Sequence, residues 1–150
     1  MLVAPRKAAI ALMKYLLAAL LGSTLITAPI VVVDGDTVRA DGRTYRLVGF
    51  DTPESGDHAQ CPSEQLLAAR ATERLKQLLE VGAHRLEQVA CSCRPGTEGT
   101  ARCNYGRYCA TLTVDGRDVG EILIAEGLAH RYVCGATSCP RKPSWCRSVD

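Results

Sequence analysis

Three carboxylates and two guanidiniums stand at spacings that suit chemistry on an anion. Asp36 closes the turn Asp34-Gly35-Asp36, and Asp51 and Glu54 lie in Phe50-Asp51-Thr52-Pro53-Glu54. Two carboxylates with a backbone carbonyl and waters make a set of hard oxygen ligands, the kind that Ca²⁺ takes. Pro53 pushes Thr52 towards an extended conformation, which aims the Thr52 carbonyl at such a cation. Arg46 stands five residues before Asp51, and Arg107 ends Asn104-Tyr105-Gly106-Arg107. A guanidinium grips a phosphate oxygen pair and steadies charge growing on it. Taken singly, each piece has a plain structural use. Asp-Gly-Asp is a common hairpin turn, Asp-Thr-Pro-Glu a common loop or helix opening, and a strand arginine is usually solvated or ion-paired. The combination points to phosphoryl transfer: two acids for a metal, a spare glutamate to act on water, and two arginines. Asp34 has no forced role; it caps its turn or supports Asp36 from behind.

These residues need elements to position them. Residues 30–33 form a β-branched run, 37–39 resume an extended pattern, and Asp41-Gly42 turns into a third strand over 43–48. The first and third strands of such a meander lie side by side or one strand apart, so Asp36 and Asp51 can meet. From Pro62 a helical pattern opens, with Leu66, Leu67, Ala71, Leu75, Leu78 and Leu79 as its apolar face and Gly82 as its stop. Residues 84–89 and 108–114 read as the fourth and fifth strands, separated by a loop over 92–106. Residues 119–125 form a short helix stopped by Gly127. Beyond Val133 no periodicity stands out. The expectation is a mainly β fold with α: a five-stranded barrel of the OB type, with two or three helices at its ends.

The chain has 150 residues, 47% hydrophobic and 23% charged, which excludes a disordered or fibrous protein. Its net charge is +2, but Arg6, Lys7 and Lys14 precede residue 23 and no acid does. Without that segment 15 basic residues face 16 acidic ones, a net of −1. A global basic field for nonspecific nucleic-acid binding is therefore absent, and an anionic partner must be held locally. The N-terminus has the layout of a secretory signal: Lys14, an apolar stretch over 15–21, then Gly22-Ser23-Thr24. The rival is a retained membrane anchor, since no charge falls between Tyr15 and Val33. That anchor would consume the first strand, so export to a periplasmic or extracellular space is the preferred expectation. Met13-Lys14 is a natural alternative start. The expected organisation is a signal or anchor over 1–25, a domain over 26–132 and a Cys-rich tail over 133–150 packed on it.

Eight cysteines in so short a chain fit an oxidising compartment: 61, 91, 93, 103, 109, 134, 139 and 146. Zinc is disfavoured, because paired C-x2-C knuckles are lacking. Cys91 and Cys109 lie at facing ends of the fourth and fifth strands, and Cys93 and Cys103 face each other across the loop. Bridges 91–109 and 93–103 would staple the segment that delivers Tyr105 and Arg107, with a swapped pairing of the four left open. Cys61 is the natural fourth partner for Cys134, Cys139 and Cys146.

Val33-Asp34-Gly35-Asp36-Thr37, Arg46-Leu47-Val48-Gly49-Phe50-Asp51-Thr52-Pro53-Glu54 and Tyr105-Gly106-Arg107 resemble the signature segments of the staphylococcal (thermonuclease) nuclease family. Residues 118–129 resemble that family's second helix. The resemblance spans about residues 28–132 in order. It implies an OB-fold, Ca²⁺-dependent phosphodiesterase that cleaves DNA and RNA and leaves 3′-phosphates. By position, Asp36, Asp51 and the Thr52 carbonyl correspond to the Ca²⁺ ligands. Glu54 corresponds to the residue that activates or orients the attacking water, and Arg46 and Arg107 to the transition-state arginines. Tyr105 corresponds to a residue lining the nucleotide pocket; the match at Tyr132 is ambiguous by one residue. Two family features are missing, a lysine-rich surface and a long C-terminal helix. The partner implied is a nucleic-acid substrate, met by a monomer; a membrane enters only with a retained anchor.

Two other readings compete. A non-catalytic OB module would stack bases on aromatics in a basic groove, but aromatics are only 5% of this chain. An exported, disulfide-stapled interaction domain would explain the cysteines and leave the acid–arginine set unused.

Overall fold

The computed structural model describes residues 24–146. The expected meander forms as β2 (Val31–Asp34), β3 (Thr37–Ala40) and β4 (Arg43–Leu47). The fourth and fifth expected strands are β6 (His84–Val89) and β7 (Tyr108–Val114). These five hydrogen-bond in the order β6-β7-β4-β3-β2, with β4 and β7 parallel. A parallel pair needs a long crossover, and α1 (Pro62–Val81) and β6 fill it. Mainly β with two α-helices, the fold is of the OB type, a partly open barrel.

Four short strands escape the sequence patterns. β1 (Thr24–Ile26) adds to the outer edge of β6, so the sheet starts two residues before the domain start read from sequence. β5 (Gly49–Asp51) pairs with β9 (His130–Tyr132) as a separate ribbon, and β8 (Arg117–Asp118) pairs with the end of β7. Gly49 separates β5 from β4. Its φ of +95° lies in a region that side chains avoid, and the kink lets a continuous apolar run turn off the barrel.

α1 buries Ala68, Ala71, Leu75 and Leu78, spaced three and four apart, against the sheet. Leu66 corrects the expected core face: it lies on the opposite side of the helix and is 65% exposed. Glu64, on the inward stripe, is buried instead. Gly82 does end the helix, but with φ −116° rather than in a left-handed cap. A Cβ there would come within 2.2 Å of Val114, so the residue is needed for close approach. The short helix α2 (Val119–Ala125) is capped by the Asp118 side chain, which accepts from the Glu121 N–H at 3.2 Å. Core side chains include Val38, Tyr45, Leu47, Phe50, Leu86 and Leu123.

All eight cysteines are paired, as Cys61–Cys146, Cys91–Cys109, Cys93–Cys103 and Cys134–Cys139. The two loop staples are those expected, and Cys61 takes Cys146. No described helix is long and apolar enough to cross a membrane. The expected signal or anchor falls almost entirely on residues 1–23, outside the described residues, as do 147–150.

Candidate active site

The β2–β3 turn, the β4–β5 junction and the entry to β7 converge at one end of the barrel. In the β3–β4 ladder Thr37 faces Arg46, and the Leu47 N–H donates to the Asp36 carbonyl at 2.8 Å. Asp36 is thus set beside the end of β4. Gly35 allows the turn to lie this low, because a Cβ there would meet Ala71 and Thr52 at 2.9 Å. Beyond Gly49, β5 returns Asp51 to the same place, 1% exposed.

Arg46 joins the acids. Its Nη1 stands 3.0 Å from Asp36 Oδ2, and its Nη2 3.0 Å from Asp51 Oδ1. It also donates to the carbonyls of Leu47 at 2.7 Å and Phe50 at 3.1 Å. Asp36 further accepts from the Thr37 hydroxyl and, at 3.1 Å, from the Thr52 N–H. Asp36, Asp51, Thr52 and Arg46 are therefore one buried network with the metal-suited acids at its centre.

Arg107 reaches the same network from the stapled loop. Its Nη1 donates to Thr37 Oγ1 at 3.2 Å, and Asn104 holds the rest of the guanidinium through its side-chain oxygen at 2.8 Å and its carbonyl at 3.1 Å. Asn104 and Tyr105 adopt left-handed backbone, with φ of 50° and 59°. Such angles are strained for side-chain-bearing residues and need a scaffold that imposes them; bridges 93–103 and 91–109 flank the turn on both sides. Tyr105 stands 89% exposed beside Arg107, whose guanidinium lies 5.8 Å from its ring centre.

Glu54 lies on the open side of the cluster, its side chain 43% exposed. Its backbone is fixed from below. Buried Glu64 accepts from the Glu54 N–H at 3.1 Å and from the Gln60 N–H at 2.7 Å, which ties down the loop after Asp51. Cys61, Glu64 and Cys146 cluster there, but the two sulfurs are bonded to each other, so the trio is no metal site.

Sequence reasoning missed Lys142. Its Nζ lies 2.7 Å from Asp51 Oδ1 and 2.5 Å from Glu54 Oε1. No periodicity marks it; the only signal was a tail cysteine expected to pair with Cys61. Glu64 was legible in principle, being in phase with Ala68 and Ala71. In the sequence Thr37 and Asn104 stand only as neighbours of the charged residues.

Burial pushes the Asp51 carboxyl above its usual value, and Asp36 adds to the rise against the pull of Lys142 and Arg46. Asp34, whose Oδ1 accepts from the Asp36 N–H, is raised by burial and then by the Asp36 charge. Burial draws the Lys142 ammonium down, but its bonds to Asp51 and Glu54 outweigh that and it titrates higher than normal. Carboxylates crowded in a buried pocket are stabilised by positive charge between them. The donors are all oxygen, and a cationic group already fits between Asp51 and Glu54, so the cluster suits a hard divalent cation.

A staphylococcal nuclease homologue family model matches residues 44–144. The chain belongs to the staphylococcal nuclease family. The matched stretch holds Arg46, Asp51, Thr52, Glu54, Tyr105 and Arg107. Asp36 lies before it and is joined to it by the contacts with Arg46 and Thr52. The chain is 36% identical over 101 residues to endonuclease YncB of Bacillus subtilis, covering 65% of this chain and 43% of the relative. It is 37% identical over 101 residues to the SPbeta prophage-derived endonuclease YokF of the same organism, covering 65% of this chain and 31% of the relative. The chain therefore matches less than half the length of either.

Proposed function

We propose that this chain is a Ca²⁺-dependent phosphodiesterase that hydrolyses DNA, RNA or both and leaves 3′-phosphates. The observation that carries the reading is the network itself: Asp36 and Asp51 bridged by Arg46, with Arg107 tied in through Thr37. Two relatives named endonucleases support it. Asp36, Asp51 and the Thr52 carbonyl would hold Ca²⁺, which supplies charge neutralisation at the phosphate. Arg107, and Arg46 once its fork turns from the two acids, would bind the non-bridging oxygens and stabilise the charge that grows there as water adds to phosphorus. Glu54 accepts a proton from that water or orients it opposite the leaving 5′ oxygen. The P–O5′ bond breaks with its electron pair going to the 5′ oxygen, which takes a proton from solvent water.

The four bridges favour an exported protein, because such bridges persist in oxidising compartments. A binding-only module would stack bases on several aromatics; among the described residues Tyr105 is the one strongly exposed aromatic. The deciding experiment incubates the full chain with denatured DNA and with RNA, in Ca²⁺ and in a chelator. Ca²⁺-dependent cleavage with 3′-phosphate ends is expected. Binding without cleavage in Ca²⁺ would mean that the acid–arginine network serves recognition alone.

A further inference from the structure

The tail that carries Lys142 is anchored on both sides of it. Two residues before, the Pro140 carbonyl accepts from the Tyr132 hydroxyl at 2.8 Å. Four residues after, Cys146 is bonded to Cys61 at the foot of α1. Between them the Trp145 indole stacks on the His130 ring, with centres 3.9 Å apart and planes 21° from parallel. His130 is itself the ladder partner of Asp51. The strap is thus fastened around the acid cluster, and the placing of its ammonium against Asp51 and Glu54 is built in.

An ammonium and a divalent cation cannot share these carboxylates. At a few ångströms inside a half-buried pocket their repulsion is strong. Asp51 faces two cations at once, Arg46 from inside the barrel and Lys142 from outside. Arg46 is buried and held by backbone carbonyls as well. Lys142 has a side chain 44% exposed and a flexible stem, so it is the group that can withdraw.

We propose that Lys142 is an internal competitor for the divalent cation: the disulfide-tied tail seats its ammonium on Asp51 and Glu54, and Asp51 can join Asp36 and the Thr52 carbonyl in holding a cation only when the ammonium leaves it. The inference rests on the calcium reading above. It makes the tail an autoinhibitory strap that sets the cation concentration at which the site fills. Apparent affinity falls by the fraction of molecules in which the ammonium has withdrawn.

The test is calorimetric titration of CaCl₂ into the full, disulfide-bonded chain and its Lys142→Met variant. The variant should bind Ca²⁺ about 10-fold more tightly or better. A second measurement needs no variant: reductive methylation of the wild-type amines, mapped by mass spectrometry. Lys142 should react slowly without Ca²⁺ and faster with it. Unchanged or weaker Ca²⁺ binding by Lys142→Met overturns the strap, and so does Lys142 methylation indifferent to Ca²⁺. If neither protein binds Ca²⁺, the calcium reading itself fails and takes the strap with it. Ca²⁺ binding with no effect of Lys142 leaves the nuclease reading standing alone.

Discussion

Arg46 and Arg107 carry the same group in unlike surroundings, and substitutions should separate them. Arg46 spends its fork on two carboxylates and two carbonyls in a buried site. Lysine has three donors and no planar fork, so Arg46→Lys leaves buried acceptors unpaired. It should lose ~10²-fold or more in kcat on denatured DNA and about 1–3 kcal/mol in urea unfolding. Arg107 is partly buried on a loop, so Arg107→Lys should lose activity on a similar scale while unfolding at nearly the native urea concentration. Near-native kcat in either would make that arginine an ion-pair partner only. Glu54 separates chemistry from binding in another way. Glu54→Gln should cut kcat by ~10²-fold or more, since general-base help is worth about that much, while Ca²⁺ still binds. An unaltered kcat in the folded variant removes Glu54 from the mechanism. This set was legible because charged residues at fixed offsets from turns declare themselves. Lys142 was not, because its meaning lies wholly in contacts to residues 91 and 88 positions away.

At the scale of elements, legibility followed length and pattern. The five barrel strands and both helices carry runs or periodicities long enough to read. β5 and β9 are three residues each, and each finds its partner about eighty residues off, so neither has a local signal. Leu66 was misplaced because its type, rather than its phase with Ala68, Ala71 and Leu75, was read. Two element contacts give predictions. The turn at 104–106 is strained and held by bridges on either side. Cys93→Ser/Cys103→Ser should therefore loosen Arg107 and lower nuclease activity at temperatures well below the melting point of the variant. Activity that is lost only as the barrel unfolds would show that the staple serves stability alone. The second contact is Arg74 of α1 with Glu126 just past α2, bonded through both carboxylate oxygens. The bonds to Arg74 draw the Glu126 carboxyl below its ordinary value of 4.5. A depressed carboxyl stabilises the fold above its unfolded value, and that contribution vanishes as pH falls through the lower folded one. The pair is a third exposed, so Arg74→Ala should cost less than about 1 kcal/mol at neutral pH, and the difference from wild type should close below that range. Urea melts at neutral and acid pH check both; a gap that widens in acid would reverse the sign.

For the molecule as a whole, the four bridges divide by the length of chain they close. Cys134–Cys139 closes 5 residues within the tail, and Cys61–Cys146 closes 85, tying the tail across α1, the barrel strands β6 and β7, and α2. A bridge stabilises chiefly by limiting the unfolded chain, and the effect grows slowly with the logarithm of the loop. On that relation the short bridge is worth about 2 kcal/mol and the long one about 4–5 kcal/mol. The long bridge has a second effect in the folded state. It holds Cys146 beside Glu64, the residue that fixes the backbone after Asp51. It also holds the strap that bears Trp145 on His130. Loss of the long bridge should therefore cost more than loop entropy alone predicts, and loss of the short one about what entropy predicts. Cys61→Ser/Cys146→Ser and Cys134→Ser/Cys139→Ser, unfolded in urea under non-reducing conditions, should differ by more than the roughly 2–3 kcal/mol that loop entropy alone gives. Their Ca²⁺ affinities should differ as well, since only the first frees the tail that carries Lys142. Equal stabilities in the two variants would show that the tail adds nothing to the fold and that Cys61–Cys146 merely parks it.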